Sequence, residues 1–289
     1  MIIFLYEFVT GGGWWSVDPA QPPAGSLYAE GAAMGNALAH DFAALPGIRV
    51  VMLRDARLPP CPAPVAQVIS VHSAASERRA FEQLARGTDR TLVIAPEFAG
   101  YLAERARWVD EAGGKRLSPS PQFVELTANK HETAEYLVAR GVPAVRGWTW
   151  QPGESCPGRE WPLIIKPLDG AGSMNVRLLR SPADLAGVPA GSWRLEPFCP
   201  GLAASVAFLS GPRSAYPLVP ARQLLSDEGA FRYLGTQLPL PPGLARRATA
   251  LGERTLAALP SATGYVGMDL VLGEADDGGE DRVIEVNPR

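Results

Sequence analysis

Apolar residues along the chain come in short runs, broken by glycine, proline and charge. MIIFLYEFV (1–9) is almost wholly apolar and predicts a strand buried on both faces. TGGGWW (10–15) predicts a glycine turn, and SLYAEGAAMGNALAHDFAAL (26–45) repeats its apolar positions at helical spacing. IRVVMLRD (48–55), AQVISVHS (66–73) and RTLVIAPE (90–97) predict three more strands, with a helix over SERRAFEQLARG (76–87) before the last. Strands alternating with helices imply a parallel sheet with covered faces. Right-handed crossovers put the loops that follow the strands along one edge, where open sheets bind ligands. Those loops carry Gly11 to Gly13, Asp55, His72 and Glu97.

A second unit begins near residue 115. TANKHETAEYLVARGV (127–142) predicts one helix, ended by Gly141. VRGWTW (145–150) and PLIIKPL (162–168) predict strands, followed by the glycine turn DGAGS (169–173) and by NVRLLR (175–180). A third unit opens with WRLEPF (193–198) and continues through strand ASVAFLS (204–210) and YPLVPARQLL (216–225). A helix over 243–258, strand YVGMDLVLG (265–273), an acidic hairpin turn EADDGGED (274–281) and a last strand RVIEVNPR follow. No internal repeat is present.

Composition narrows the class. The 289 residues are 46% hydrophobic and 20% charged, which suits a globular protein of two or three packed units. The formal net charge of −3 lacks the basic footprint that phosphate backbones select, so nucleic acid is not an expected partner. Cys61, Cys156 and Cys199 are far apart and form no CxxC pair. Reduced thiols and a cytoplasmic location are therefore expected, rather than a zinc site or a disulfide framework. The first apolar run is short, lacks a basic leading segment and carries Glu7, so it reads as a strand rather than a signal peptide. No run approaches the ~20 apolar residues of a membrane helix.

Candidate chemistry concentrates near the end. Successive strand side chains alternate faces, so Glu285 and Asn287 share one face, with Ile284 and Val286 on the other. Asp269, in GMDLV, sits on the partner strand. Two carboxylates and an amide make a hard oxygen set of the kind magnesium takes, with water and phosphate oxygens completing its octahedron. Solvated hairpin carboxylates are the alternative. Lysine is scarce: Lys115, Lys130 and Lys166 are the only three. Lys166 lies in an apolar strand, where a cation needs an anionic partner to offset desolvation. The turn after it can aim backbone N–H groups and the Ser173 hydroxyl at phosphate oxygens. No GxxxxGK[ST], G-x-S-x-G or H-E-x-x-H is present. LEPFCPG (195–201) reads as an extended linker whose backbone can meet an adenine edge.

Taken in order, NK in a helix, IIKP before GAGS, LEPFCPG, GMDLV and IEVNPR resemble the ATP-grasp superfamily over about residues 116–289. The resemblance implies an α/β protein. An N-terminal parallel-sheet, Rossmann-like (pre-ATP-grasp) domain would span 1–115, followed by an ATP-grasp fold of two α+β lobes. The central lobe would cover 116–195, and the C-terminal lobe with the metal site 196–289. It also implies that Lys130 and Lys166 meet ATP phosphates, and that Asp169, Gly170, Gly172 and Ser173 lie in the loop covering them. Glu196, Pro197 and Phe198 would form the adenine hinge. Asp269, Glu285 and Asn287 would hold magnesium or manganese, and Arg289 would reach the phosphates or an acyl intermediate. One departure stands out: many members have a ribose-binding glutamate just past the hinge glycine, where this chain has Ala203 and Ala204. Relatives also continue beyond NPR, so a further tail is expected.

A narrower resemblance starts from LYEFVTGGG, the 26–45 helix, VVMLRD, VIAPE and FRYLGTQLPLP (231–241). These look like the ATP-grasp ligases that include tyramine–glutamate ligase of methanofuran biosynthesis. Such ligases phosphorylate a carboxylate and let an amine attack the acyl phosphate. Positioning and charge neutralisation carry phosphoryl transfer, and Lys130, Lys166, Arg289 and magnesium supply positive charge. Glu97 or His72 is a candidate to take the amine proton. Arg222 is a candidate bidentate clamp on the substrate carboxylate. Trp14, Trp15 and Tyr28 offer either a stacking surface for an aromatic amine or a plug for the sheet edge. The expected partners are a small carboxylate and a small amine, with a homodimer as the family's common state. The alternatives are an ATP-binding protein without ligase activity, a small-molecule kinase of the same fold, and a biotin-dependent carboxylase-type member.

Overall fold

The computed structural model describes residues 1–158, 160–168 and 175–288. The chain divides into two compact units, residues 1–96 with 100–121, and residues 97–99 with 122–288.

The first unit is built on β1 (Ile2–Glu7), β2 (Arg49–Asp55), β3 (Gln67–Val71) and β4 (Arg90–Ile94). All pair in parallel in the order β3-β2-β1-β4, as the alternating pattern predicts. Helices α1 (Gly25–Ala43) and α2 (Ala74–Gly87) follow β1 and β3. Ser73 caps α2 by accepting the Ser76 N–H at 3.1 Å. A further helix, α3 (Tyr101–Glu111), is not announced by the sequence pattern. Its inward face includes Arg105, which is only 1% exposed and so interrupts the apolar pattern that would announce the helix. Arg105 pairs with the equally buried Glu77, which also accepts the Tyr6 hydroxyl.

The turn after β1 is organised by a buried acid. Glu7 accepts N–H groups from Val9 at 3.0 Å and Thr10 at 2.7 Å, and the Thr10 hydroxyl at 2.7 Å. Burial pushes its carboxyl above the usual glutamate range, and these donors oppose the rise. Gly31 of α1 lies against this carboxylate. Asp55 and Trp15 are structural. Asp55 is buried and bidentate to Arg57, whose guanidinium covers the Trp15 ring at 3.5 Å. One face of the Trp15 ring is thus taken by Arg57, and the residue is half-buried.

The second unit holds two sheets. Helices α4 (Pro121–Ala128) and α5 (Lys130–Val138) replace the single helix expected over 127–142. Asn129 causes the break, because its side chain caps α5 by accepting from His131 N and Glu132 N. Strands β5 (Trp148–Trp150), β6 (Leu163–Pro167), β7 (Arg177–Leu179) and β8 (Trp193–Pro197) form an antiparallel sheet in the order β5-β8-β6-β7. WRLEP is therefore the second strand of this sheet rather than a linker opening a third unit, and the expected boundary at 195/196 falls inside it.

The second sheet runs β12 (Tyr233–Gln237), β11 (Ala221–Leu225), β9 (Leu202–Ser210), β13 (Gly264–Leu272), β14 (Arg282–Pro288), with β10 (Ala215–Pro217) also on β9. One face is packed by α5 and by α6 (Pro242–Ala258) through Ala134, Leu137, Ala248 and Leu251 against Val206, Phe208, Met268 and Leu270. A bulge between Asp269 and Leu270 gives β14 one extra residue. Val283 and Val286 both enter the core as a result. Ile284, expected beside Val286, is only half-buried. No helix among the described residues is long and apolar enough to cross a membrane.

Candidate active site

Register assembles the chemistry on the sheet face away from α6. Ala221, Ser205, Asp269 and Glu285 stand abreast on β11, β9, β13 and β14. Side chains two residues along share a face, so Gln223 and Asn287 join this row. Gln223 Nε2 donates to Asp269 Oδ1 at 2.7 Å, and Asn287 Nδ2 donates to Asp269 Oδ2 at 3.3 Å. Lys130, near the start of α5, reaches the row from the helix, with Nζ 3.0 Å from Glu285 Oε1. The two expected carboxylates, the amide and one expected lysine thus converge.

The other lysine belongs to the smaller sheet. Lys166 on β6 is opposite Arg194 on β8, and Glu196 lies two residues beyond Arg194 on the same face. Glu196 joins the two cations: Oε1 is 2.6 Å from Lys166 Nζ, and Oε2 accepts from Arg194 Nε at 2.7 Å. Lys166, Arg194 and Glu196 are 3%, 1% and 4% exposed, so every charge in the trio is desolvated and paired. Arg194 also donates to Val145 O at 2.6 Å and contacts His131 Nδ1 at 2.6 Å. Burial and the Arg194 guanidinium hold the His131 imidazole below the ordinary histidine value, with Glu135 and Glu132 opposing. The Lys130 N–H donates to Leu168 O at 3.0 Å, which ties α5 to the end of β6 and brings the two lysines' supports together.

A family model for the ATP-grasp domain matches residues 127–289, more than half of the chain. The chain belongs to the ATP-grasp family. In this ATP-grasp protein, residues 48–124 also match the pre ATP-grasp 3 domain. Similar solved structures include an ATP-grasp superfamily protein from Archaeoglobus fulgidus, at TM-score 0.71 and 23% identity over all of this chain and 81% of that one. The L-amino acid ligase from Bacillus licheniformis matches at TM-score 0.67 and 15% identity, over all of this chain and 66% of that one. D-alanine–D-alanine ligase from Bacillus anthracis, complexed with ATP, matches at TM-score 0.67 and 16% identity, over 99% of this chain and 86% of that one. At these identities the likeness is one of fold. Among curated protein sequences none matches significantly.

The remaining candidate residues of this ATP-grasp protein fall unevenly. Asp169, Gly170, Gly172, Ser173 and Arg289 lie outside the described residues. Glu196, expected at an adenine hinge, turns its side chain inward as the partner of Lys166. Pro197 ends β8, and Phe198 donates its N–H to Pro162 O at 3.1 Å, while its ring stacks 6.2 Å from Phe231. Arg222 is not brought to the carboxylate row. It neighbours Gln223 in sequence and so takes the opposite face, level with the core residue Ala204, where it is exposed. Glu97 is buried in the segment after β4 that groups with the second unit.

Three residues that support the site escape sequence reasoning: Arg194, His131 and Gln223. For Arg194 and Gln223 the signal is the register, whereas His131 lies on α5 and is tied in by its contact with Arg194. Only the pairing of Ala221 with Ser205 and of Ser205 with Asp269 puts Gln223 beside the acid.

The donor set fits a small divalent cation by its chemistry. Among the described residues no three His, Cys, Asp or Glu side chains gather as a metal cluster, and the candidate donors brought together are two carboxylates and an amide. Magnesium is commonly held by one or two carboxylates with substrate phosphates completing the shell.

Proposed function

We propose that this chain is an ATP- and magnesium-dependent ligase that joins a carboxylate to an amine. The observation that carries the reading is the pairing of two buried lysines with two glutamates beside an Asp–Asn pair. Lys130 and Lys166 each hold a carboxylate within 3.0 Å, so both ammonium groups are preorganised without a nucleotide. Phosphate oxygens can compete for or share these cations, because Lys–phosphate contacts are charge-assisted and little reorganisation is needed. Family membership supports ATP as the nucleotide, as does the related D-alanine–D-alanine ligase, which holds ATP. The fold neighbours whose names are those of ligases support amide formation.

In the proposed reaction a substrate carboxylate oxygen attacks the γ-phosphorus, and ADP leaves. The amine nitrogen then attacks the acyl carbon, inorganic phosphate leaves, and the amine proton passes to a base, for which Glu97 is the candidate. Lys130 and Lys166 position phosphoryl oxygens and offset their charge. Asp269, Glu285 and Asn287 would hold magnesium, which when bound supplies neutralisation of the phosphate charge. Gln223 and Asn287 fix Asp269 from both of its oxygens.

For substrates, we propose glutamate and tyramine or a related amine, on the resemblance of LYEFVTGGG and FRYLGTQLPLP to that ligase group. The test is release of ADP and phosphate from Mg-ATP, first with glutamate plus tyramine, then with pooled acids and amines. Release that requires both an acid and an amine, with an amide seen by mass spectrometry, is expected. Release with the acid alone would instead make the chain a small-molecule kinase.

A further inference from the structure

We propose that Arg194 is a positioning residue for Lys166, and that it does so only while His131 presents an unprotonated Nδ1. The inference rests on the reading of Lys166 as a nucleotide contact. Lys166 and Arg194 are two cations in register on adjacent strands, an arrangement that repels unless something intervenes. Glu196 intervenes, with one oxygen on each. The direction in which Glu196 presents its second oxygen, and so where Lys166 Nζ rests, depends on Arg194 being fixed. Arg194 is fixed at three points: Glu196, the Val145 carbonyl and His131. Two of these acceptors cannot become cationic. His131 can.

A guanidinium has donors and no lone pair to offer, so at 2.6 Å the Nδ1 of His131 must be the acceptor. A proton on Nδ1 would set an N–H against an N–H and a cation against a cation. Arg194 is the charged group that faces His131 from β8, and Glu132 and Glu135 face it from its own helix. Burial and Arg194 outweigh the two glutamates and favour the neutral imidazole. As pH falls through the lowered value of His131 the contact is lost, Arg194 is released, and Glu196 no longer holds Lys166 in place. Backbone space is shaped around the same guanidinium. A Cβ on Gly147 would lie 3.0 Å from Arg194 Cζ.

The experiment is equilibrium binding of ATP to the full chain between pH 5 and 8, for the wild type, His131→Asn and His131→Leu. Asparagine keeps an oxygen near the Nδ1 position and cannot be protonated there, whereas leucine offers no acceptor. The nucleotide's own titration is common to all three. The expected result is wild-type affinity that falls by up to about tenfold per pH unit once His131 titrates. The Asn variant should keep its affinity near pH 7.5 without that fall, and the Leu variant should bind weakly throughout. Identical pH profiles for wild type and Asn, or unaltered binding by Leu, would overturn the proposal while leaving ATP binding intact. No ATP binding by the wild type at pH 7.5 would instead overturn the nucleotide reading on which it rests.

Discussion

Lys166 and Arg194 stand opposite each other across β6 and β8, and the carboxylate of Glu196 lies between them. The trio is buried, so both cations depend on Glu196. Removing one end of it separates binding from folding.

Lys166→Ala should be tolerated by the fold, because Glu196 keeps Arg194 as its partner. Its loss should still weaken ATP binding about ten- to a hundredfold, the scale of a hydrogen bond to a charged group. Calorimetric titration with ATP, alongside a thermal unfolding curve, checks both halves. Unchanged affinity would remove Lys166 from the nucleotide site.

Glu285→Gln removes a carboxylate oxygen from the Asp269 row and the anion beside Lys130. The magnesium concentration for half-maximal ADP release should rise at least about tenfold, with a lower maximal rate. A magnesium titration of the variant decides it. An unaltered curve would mean that Glu285 serves Lys130 alone.

Gly147→Ala tests the space around Arg194. The added Cβ would sit 2.5 Å from the Leu195 carbonyl oxygen, so β8 has to shift. A loss of about 1–3 kcal/mol in unfolding free energy is expected from such overpacking. Denaturant unfolding measures it, and a neutral result would show that the strand end yields freely.

In the first unit, Glu7 is held with its carboxyl raised by burial. A raised carboxyl binds its proton more tightly in the folded state than in the unfolded one. Stability therefore falls as pH rises through the ordinary glutamate range and on through the raised value. The stability difference between wild type and Glu7→Gln should change in that direction over that window and level off above it. Unfolding curves of both proteins from acid to neutral pH give the answer, and a pH-independent difference would exclude Glu7 as the titrating group.

Much of this is legible in the sequence, and the failures share a cause. Alternating strands and helices point to the parallel sheet, and the spacing of Glu285 and Asn287 puts both on one face opposite Asp269. Lys166 stands out because a cation in an apolar strand needs a partner. The identity of that partner is hidden, since Glu196 looks in sequence like the solvent-facing acid of a linker. Arg105 hides α3 by the same means, as a charge inside a core looks like surface. Asn129 sits in a continuous helical pattern, and only its capping geometry shows that the helix restarts there. Arg222 and Gln223 are adjacent polar residues on one strand, and choosing between them requires the register.

The bulge on β14 has a consequence for how this strand can change length. A strand has two sides, and each added or lost residue exchanges them. The segment with Val283 and the segment with Glu285 and Asn287 are out of phase by one position, and Ile284 is the slip between them. Excising Ile284 would bring both segments into a single alternation, with Val283 still inward and Glu285 still outward. Excising Val286 would instead turn Asn287 into the core. Of these two positions on β14, Ile284 is the one whose loss would leave Glu285 and Asn287 on their present face.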